Sequence, residues 1–151
     1  MHRKQLPALR VLAASRNLCL PEVGPEAALL CPQLETAARQ LGLQPDGPWI
    51  FVHHDLPHDA SSLHRVDFCL PVSGEAAGDG PFALLALPPL HCASHDYHGP
   101  LHGLFSHGYA PLLAAIAAAG AMPGQQCREV YHRWLGPEDS GNHVELQFAL
   151  A

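Results

Sequence analysis

Basic residues are scarce in this chain. Lys4 is its one lysine, and eight lysines and arginines stand against fourteen acidic residues, so the net charge is −6 with histidine neutral. Proteins that bind nucleic acids need clustered basic side chains to contact phosphates, and this sequence has no basic run. We therefore predict no direct nucleic-acid binding. The acidic balance is compatible with a cationic ligand.

Long hydrophobic runs are also absent. The longest spans residues 112–121 and is interrupted by Gly120, whereas a membrane-spanning helix needs roughly 20 apolar residues. Arg10 and Arg16 stand where a signal peptide would have its apolar core. We therefore predict no membrane insertion and a cytoplasmic location.

The cysteine and histidine spacings do not match known metal sites. The five cysteines include no CxxC pair and are odd in number, which favours free thiols over a disulfide framework or a zinc ribbon. The twelve histidines include no HExxH, and the pair His98 and His102 has no third ligand at a suitable spacing. We predict no metal and no cofactor, with most imidazoles serving as polar surface groups.

The rest of the composition is that of a folded protein. Hydrophobic residues make up 48% and charged residues 15% of 151 residues, which suits a single domain over 1–151. Apolar periodicity predicts helices over 22–42, with Pro25 in the first position, and from Pro100 to Gly120, with a kink at Pro111. It predicts strands over 6–19, 48–55, 65–72, 90–97, 127–134 and 143–150.

The last two predicted strands form a hairpin with an unusual face. Alternation puts Glu129 and Tyr131 on one side of the first strand and Trp134 on the other. A solvated strand residue is the ordinary interpretation of Glu129, because carboxylates are rarely buried. If its side faces a cavity, however, the carboxylate and the phenol form a site for a flat cation.

The sequence also repeats its plan. Residues 51–55 match 129–133 and residues 66–72 match 144–150, so the two halves, about 5–73 and 81–151, are each strand–helix–strand–strand. The apolar stripes of both helices need a sheet to cover them. This favours an α+β fold with two helices on one face of an antiparallel sheet and a ligand cleft between the halves. Phe51 is then equivalent to Glu129, and His53 to Tyr131.

Five segments carry a resemblance to a known family. They are GPWIFVHHD at 47–55, DFCLPV at 67–72, HGPLHGL at 98–104, REVY at 128–131 and NHVELQF at 142–148. Each is short, but together they span nearly the whole chain in the family's order. The chain resembles the GyrI-like effector-binding domains, which include drug-binding modules of MerR- and AraC-type multidrug regulators. The resemblance implies two βαββ units related by a pseudo-twofold axis.

The resemblance also implies a function. The glutamate that matches Glu129 commonly faces the cleft of such domains and contacts cationic, aromatic ligands. Burial in an apolar cleft raises the pKa of a carboxyl group until a cation arrives, and such cations stack on aromatic rings. The expected ligand-binding residues are Glu129, Tyr131, His53, Trp49, Phe51 and Trp134.

Several alternatives stay open at this stage. No helix-turn-helix precedes the first strand, so we expect a stand-alone module that captures or sequesters a small organic molecule. Some stand-alone relatives hydrolyse reactive cyclopropane-bearing compounds, a reaction in which Glu129 and Tyr131 would be catalytic, although we favour a binder over an enzyme. Others resemble gyrase inhibitors, which would imply a protein partner, and a homodimer is a further alternative. For the haem-binding SOUL-type fold, no histidine stands out as an axial ligand.

Overall fold

The computed structural model describes residues 1–151. The fold is α+β, with helices and antiparallel strands, as predicted from the sequence. The strands are β1 (His2–Leu6), β2 (Leu9–Leu18), β3 (Gln44–Pro45), β4 (Ile50–His54), β5 (His64–Ser73), β6 (Ala83–Leu87), β7 (Leu90–His98), β8 (Pro123–Arg133) and β9 (His143–Leu150). The helical segments are α1 (Leu20–Gln40), a 3₁₀ turn (Leu101–Gly103), a π-helical segment (Leu104–Tyr109) and α2 (Ala110–Ala118).

The chain folds into two compact units. The N-terminal unit comprises Ala8–Pro88, and the C-terminal unit comprises Met1–Pro7 together with Pro89–Ala151. Strands in the N-terminal unit follow the order β4-β5-β2-β6, and β3 also pairs with β5. Strands in the C-terminal unit follow the order β1-β7-β9-β8. Each unit therefore contains the predicted strand–helix–strand–strand repeat and one additional edge strand.

The additional strands come from a short motif that occurs twice. Leu-Pro-x-Leu links β1 to β2 at residues 6–9 and links β6 to β7 at residues 87–90. Leu6 pairs with Leu90 in the C-terminal unit, whereas Leu9 pairs with Leu87 in the N-terminal unit. Proline keeps the residue before it extended, so the backbone stays extended at the start of each motif. Neither β1 nor β6 was predicted from the sequence.

Helix α1 begins earlier than the sequence suggested. Its first turn carries Pro21, so the placement of Pro25 at the first position was wrong. A capping interaction explains the earlier start, because the Cys19 amide donates to the Glu22 carboxylate at 3.0 Å. Pro25 and Pro32 both lie inside the helix, which packs on β2 and β5. Its buried residues recur at three- and four-residue steps and are Leu30, Leu34, Ala37 and Ala38.

The second helix is not the single kinked helix that was predicted. Pro111 lies in the first turn of α2, and the six residues before α2 are π-helical. Proline has no amide hydrogen to donate to the turn that precedes it, which explains why the helix changes type there. Gly108 lets this segment approach β9, since a Cβ atom at this position would lie 2.9 Å from Leu146 Cδ1.

The structure also bears on the predictions about membrane helices and disulfides. No helix is long and apolar enough to cross a membrane. All five cysteines are free thiols, and Cys69, Cys92 and Cys127 are buried.

Candidate functional site

Glu129 is a buried carboxylate in the middle of β8. Its relative exposure is 4%, and it lies opposite Leu146 of β9. Tyr131 follows two residues later on the same face of the strand, and its hydroxyl donates to Glu129 Oε1 at 2.7 Å. The pairing of carboxylate and phenol inferred from strand alternation is therefore present in the structure.

A second phenol, which the sequence analysis missed, donates to the same carboxylate. Tyr109 ends the π-helical segment, is 1% exposed, and donates its hydroxyl to Glu129 Oε2. Burial raises the pKa of Tyr109 well above its usual value, and the neighbouring Cys127 and Glu129 act in the same direction. Tyr109 therefore keeps its proton and remains a donor. Cys127 Sγ lies 3.6 Å from the Tyr109 hydroxyl.

Aromatic rings extend from both phenols toward the surface. The ring centroid of Phe105 is 5.3 Å from that of Tyr109, and Tyr109 also contacts Phe148 edge-to-face at 6.4 Å. Trp134 contacts Tyr131 edge-to-face at 5.6 Å. Phe105 is 38% exposed and Trp134 is 44% exposed. Each phenol that contacts the buried carboxylate thus also contacts a ring that solvent can reach.

The position of Trp134 corrects the sequence prediction. Regular alternation placed this side chain on the side of the strand opposite to Tyr131. The pairing of β8 with β9 is irregular between Tyr131 and Arg133, and β8 ends at Arg133. A bulge changes the direction of the side chains that follow it, so Trp134 meets Tyr131.

The other predicted ligand-binding residues belong to the N-terminal unit. Phe51 is 7% exposed and contacts Phe68 edge-to-face at 4.8 Å. His53 is 1% exposed, and its Nδ1 lies 2.8 Å from His64 Nε2. Trp49 is half-buried and directly precedes β4. Their part in ligand binding stays a prediction.

The opposite face of the C-terminal hairpin carries a second buried carboxylate, Glu145. It accepts hydrogen bonds from Lys4 Nζ at 2.8 Å and from the Gln147 amide at 2.9 Å, and His132 Nε2 lies 2.8 Å from its other oxygen. Burial alone would raise the pKa of Glu145, but these partners together lower it to about 2. Glu145 therefore stays ionised.

The N-terminal unit repeats this arrangement. Asp67 occupies the position equivalent to Glu145, and His54 the position equivalent to His132. His54 Nε2 lies 2.8 Å from Asp67, Ser15 donates to the carboxylate at 2.5 Å, and Arg65 donates at 2.9 Å. Burial opposes ionisation, but these contacts outweigh it and hold the pKa of Asp67 below its usual value. The chain contains no group of three or more histidine, cysteine or acidic residues placed to bind one metal ion.

Comparison with known proteins gives matches to structures only. No protein-family model matches the chain, and no curated protein matches it. The chain is similar to the crystal structure of the EcmrR C-terminal domain, with a TM-score of 0.83 and 17% identity, over 99% of this chain and 96% of that one. EcmrR in a cryo-EM structure of an EcmrR–DNA complex matches at a TM-score of 0.82 and 18% identity. That match covers 99% of this chain but 56% of the EcmrR chain, so the chain spans about half the length of this relative.

More distant neighbours include two other kinds of protein. SAV2435 bound to tetraphenylphosphonium matches with a TM-score of 0.65 and 9% identity, over 99% of this chain and 93% of that chain. A protein described as a hydrolase, from Listeria innocua, matches with a TM-score of 0.72 and 10% identity, over 99% and 91% of the two chains. At identities this low, the structural matches establish the fold alone. The fold is that of the GyrI-like effector-binding domains, as the sequence resemblance predicted.

Proposed function

We propose that this chain binds a small aromatic organic cation, with Glu129 as the charged anchor. The observation that carries the proposal is the buried carboxylate itself, 4% exposed, with a phenol donating to each of its oxygens. Burying a carboxylate is costly, and two phenol donors offset part of that cost. A bound cation would stabilise the buried carboxylate further, so cation binding at this site should lower the free energy.

The surrounding rings support the aromatic part of the proposal. Tyr109 and Tyr131 contact the partly exposed rings of Phe105 and Trp134. Ring faces attract cations and stack on flat ligands, each contact contributing about 0.5–2 kcal/mol. In this proposal the flat part of the ligand contacts these rings, and Glu129 stabilises its charge.

The comparisons support the same choice of ligand. SAV2435, which shares the fold, is described as bound to tetraphenylphosphonium, a permanently charged molecule with four phenyl rings. The EcmrR C-terminal domain, which also shares the fold, belongs to a protein seen in complex with DNA. An effector-sensing or sequestering role for this chain is part of the proposal. The Trp49, Phe51 and His53 side chains are proposed as further ligand contacts.

The test is a titration of rhodamine 6G followed by fluorescence anisotropy, on wild type and on Glu129→Gln. Glutamine keeps the size of the side chain and removes its charge, and its amide oxygen can still accept one of the two phenol hydrogen bonds. We expect the Kd to rise at least tenfold, about 1.4 kcal/mol. Tetraphenylphosphonium should compete with the dye, and the neutral triphenylphosphine oxide should compete far less.

The matched control is Glu145→Gln, a buried carboxylate of the same hairpin that is 6% exposed and lies on the other face. This variant should bind the dye like wild type. Equal binding by wild type and Glu129→Gln, or equal competition by the neutral compound, would remove Glu129 as the anchor.

A small hydrolase is the second candidate, favoured by one contact and one neighbour. The hydroxyl of Tyr131 donates to Glu129 at 2.7 Å, and a carboxylate beside a phenol can position and activate water. A neighbour with the same fold is described as a hydrolase. Incubation with electrophilic esters and strained-ring compounds, followed by mass spectrometry, separates the candidates, because a binder returns its ligand unchanged. Turnover that is lost in Glu129→Gln would establish the hydrolase instead.

A further inference from the structure

The chain has two edge strands in equivalent repeat positions, and they differ in protection. β1 pairs only with β7, and β6 pairs only with β2, so each leaves one row of backbone groups without a strand beside it. Natural proteins usually protect such edges with charges, because an unprotected edge pairs with other strands. β1 carries Arg3 and Lys4 and is protected in this way.

β6 carries no charge, and prolines bound it instead, with Pro81 before the strand and Pro88 directly after it. Its sequence is ALLAL, and residues 80–90 contain no charged or hydrogen-bonding side chain. Leu84 is 36% exposed and Leu85 is 39% exposed, and as neighbours in a strand they point to opposite faces of the sheet. Apolar surface is therefore exposed on both faces of the edge as well as along it. No bulge interrupts its pairing with β2 over residues 83–87.

We propose that β6 is a dimerisation edge, at which two copies of this chain pair their β6 strands antiparallel about a twofold axis. In a twofold antiparallel pair, the backbone N–H and C=O groups that point away from β2 must bond to the same kind of groups on the second copy. Only every second residue carries such groups, so the twofold axis must lie at a residue and not between two residues.

Two positions of the axis near the middle of β6, at Leu85 and at Leu84, give complementary contacts. With the axis at Leu85, Leu84 faces Ala86 of the second copy, and Ala83 faces its Leu87. With the axis at Leu84, Ala83 faces Leu85 of the second copy. A large side chain thus meets a small one or its own copy in either register, and no charges are brought together.

Charge also argues against the open alternative, in which β6 of one copy pairs with β1 of the next and filaments grow. Lys4 already pairs with Glu145, but β1 also presents Arg3, and β6 carries no acidic residue to pair with it. Burial of the Arg3 cation beside apolar side chains is unfavourable. A closed dimer through β6 therefore fits this edge better than an open chain. A five-residue edge offers a small interface, so the dimer should be weak.

Sedimentation equilibrium on the whole chain tests the proposal. The average mass of wild type should rise from 16.2 kDa toward that of a dimer as the concentration increases from about 10 µM to about 1 mM. Leu85→Lys should raise the dissociation constant at least tenfold. With the axis at Leu85 the two lysines would face each other, and with the axis at Leu84 each lysine would lie opposite Ala83 in an apolar interface. Leu63→Lys is the matched control, because Leu63 is 69% exposed in a loop of the same unit.

A wild type that stays monomeric throughout this range would overturn the proposal, as would a folded Leu85→Lys that associates as strongly as wild type. Assembly beyond the dimer would overturn it in favour of open pairing. If Leu85→Lys does not fold, hydrogen exchange of wild type decides. Among residues 83–87, the amides that point away from β2 must become more protected at high concentration, and an unchanged exchange rate of these amides would refute a β6 interface.

Discussion

At the scale of single residues, the C-terminal hairpin holds two buried carboxylates in different environments. Glu145 contacts Lys4 and His132, which supply or can acquire positive charge. Glu129 accepts hydrogen bonds from the phenols of Tyr109 and Tyr131. The two carboxylates lie on opposite faces of the hairpin, which is why Glu145 serves as the control for the binding proposal at Glu129.

Removing one phenol should destabilise the fold measurably. In Tyr109→Phe, the buried Glu129 loses a donor, and hydrogen bonds to charged groups contribute about 1.5–3 kcal/mol. We expect urea unfolding to show a loss of about 2 kcal/mol for Tyr109→Phe and a smaller loss for Tyr131→Phe, because Tyr131 is only partly buried.

Tyr97→Phe is the matched control for this experiment. The Tyr97 hydroxyl is 2.5 Å from the Pro100 carbonyl, a neutral acceptor, so its loss should cost about 1 kcal/mol. If Tyr109→Phe unfolds at the same urea concentration as wild type, the hydroxyl contributes nothing to holding Glu129 in its buried position.

The sequence predicted part of this site and could not predict the rest. Glu129 and Tyr131 are two positions apart in a strand, so simple alternation placed them together. Tyr109 lies on a helical segment far from them in sequence, and its approach to Glu129 depends on a π-helical register that no periodicity indicates. The contact of Trp134 with Tyr131 was missed because a local irregularity in β8 is also invisible to alternation.

At the scale of elements, proline had different effects in different contexts. Pro25 and Pro32 are accommodated inside α1, because a capping interaction at Cys19 and four buried residues stabilise the helix. Pro111 marks the start of α2 after a π-helical segment. A propensity indicates the cost of each proline, but tertiary packing decides which ones a helix tolerates. β6 was missed because ALLAL shows no alternation.

The turn between β8 and β9 is organised by one buried amide. Asn142 is fully buried, accepts a hydrogen bond from the Leu135 amide at 2.7 Å, and donates one to the Gly136 carbonyl at 2.7 Å. In Asn142→Ala these backbone groups lose their partner, at about 1–3 kcal/mol for each group left unsatisfied. Thermal or urea denaturation should therefore show a loss of about 2–4 kcal/mol.

Asp139→Ala provides the comparison within the same turn. Asp139 also accepts a backbone hydrogen bond, from Gly141 at 2.8 Å, but it is exposed, so water can replace the lost contact. We expect a loss below about 1 kcal/mol. Similar losses in both variants would mean that burial of the Asn142 amide is not what stabilises the turn.

At the scale of the whole molecule, the duplication retains one feature and changes another. Both units keep a carboxylate with a histidine at 2.8 Å, Asp67 with His54 and Glu145 with His132. The equivalents of Glu129 and Tyr131 are instead Phe51 and His53, so the carboxylate proposed as the anchor exists in one unit alone. The carboxylate–histidine pairs are therefore part of the shared architecture, whereas Glu129 is a specialisation of the C-terminal unit.

These shared pairs should make the fold sensitive to acid. The pKa of Glu145 in the folded chain is about 2, below its ordinary value of 4.5, and the pKa of Asp67 is lowered from 3.8. A lowered pKa means that the folded state favours the ionised form, so the stabilisation is complete above the unfolded value and is lost as pH falls toward the folded one. For Glu145, the loss falls between pH 4.5 and about 2.

The variant Glu145→Gln isolates this contribution. At neutral pH it should be less stable than wild type, because Lys4 and His132 lose a charged partner. As pH falls below about 5, wild type should lose its advantage and the two unfolding free energies should converge near pH 2. Asp67→Asn should converge with wild type in the same direction, because the pKa of Asp67 is lowered in the same way. Urea unfolding at a series of pH values measures both differences. A difference that stays constant from pH 7 to pH 2 would show that these carboxylates stabilise the fold through packing and not through their charge.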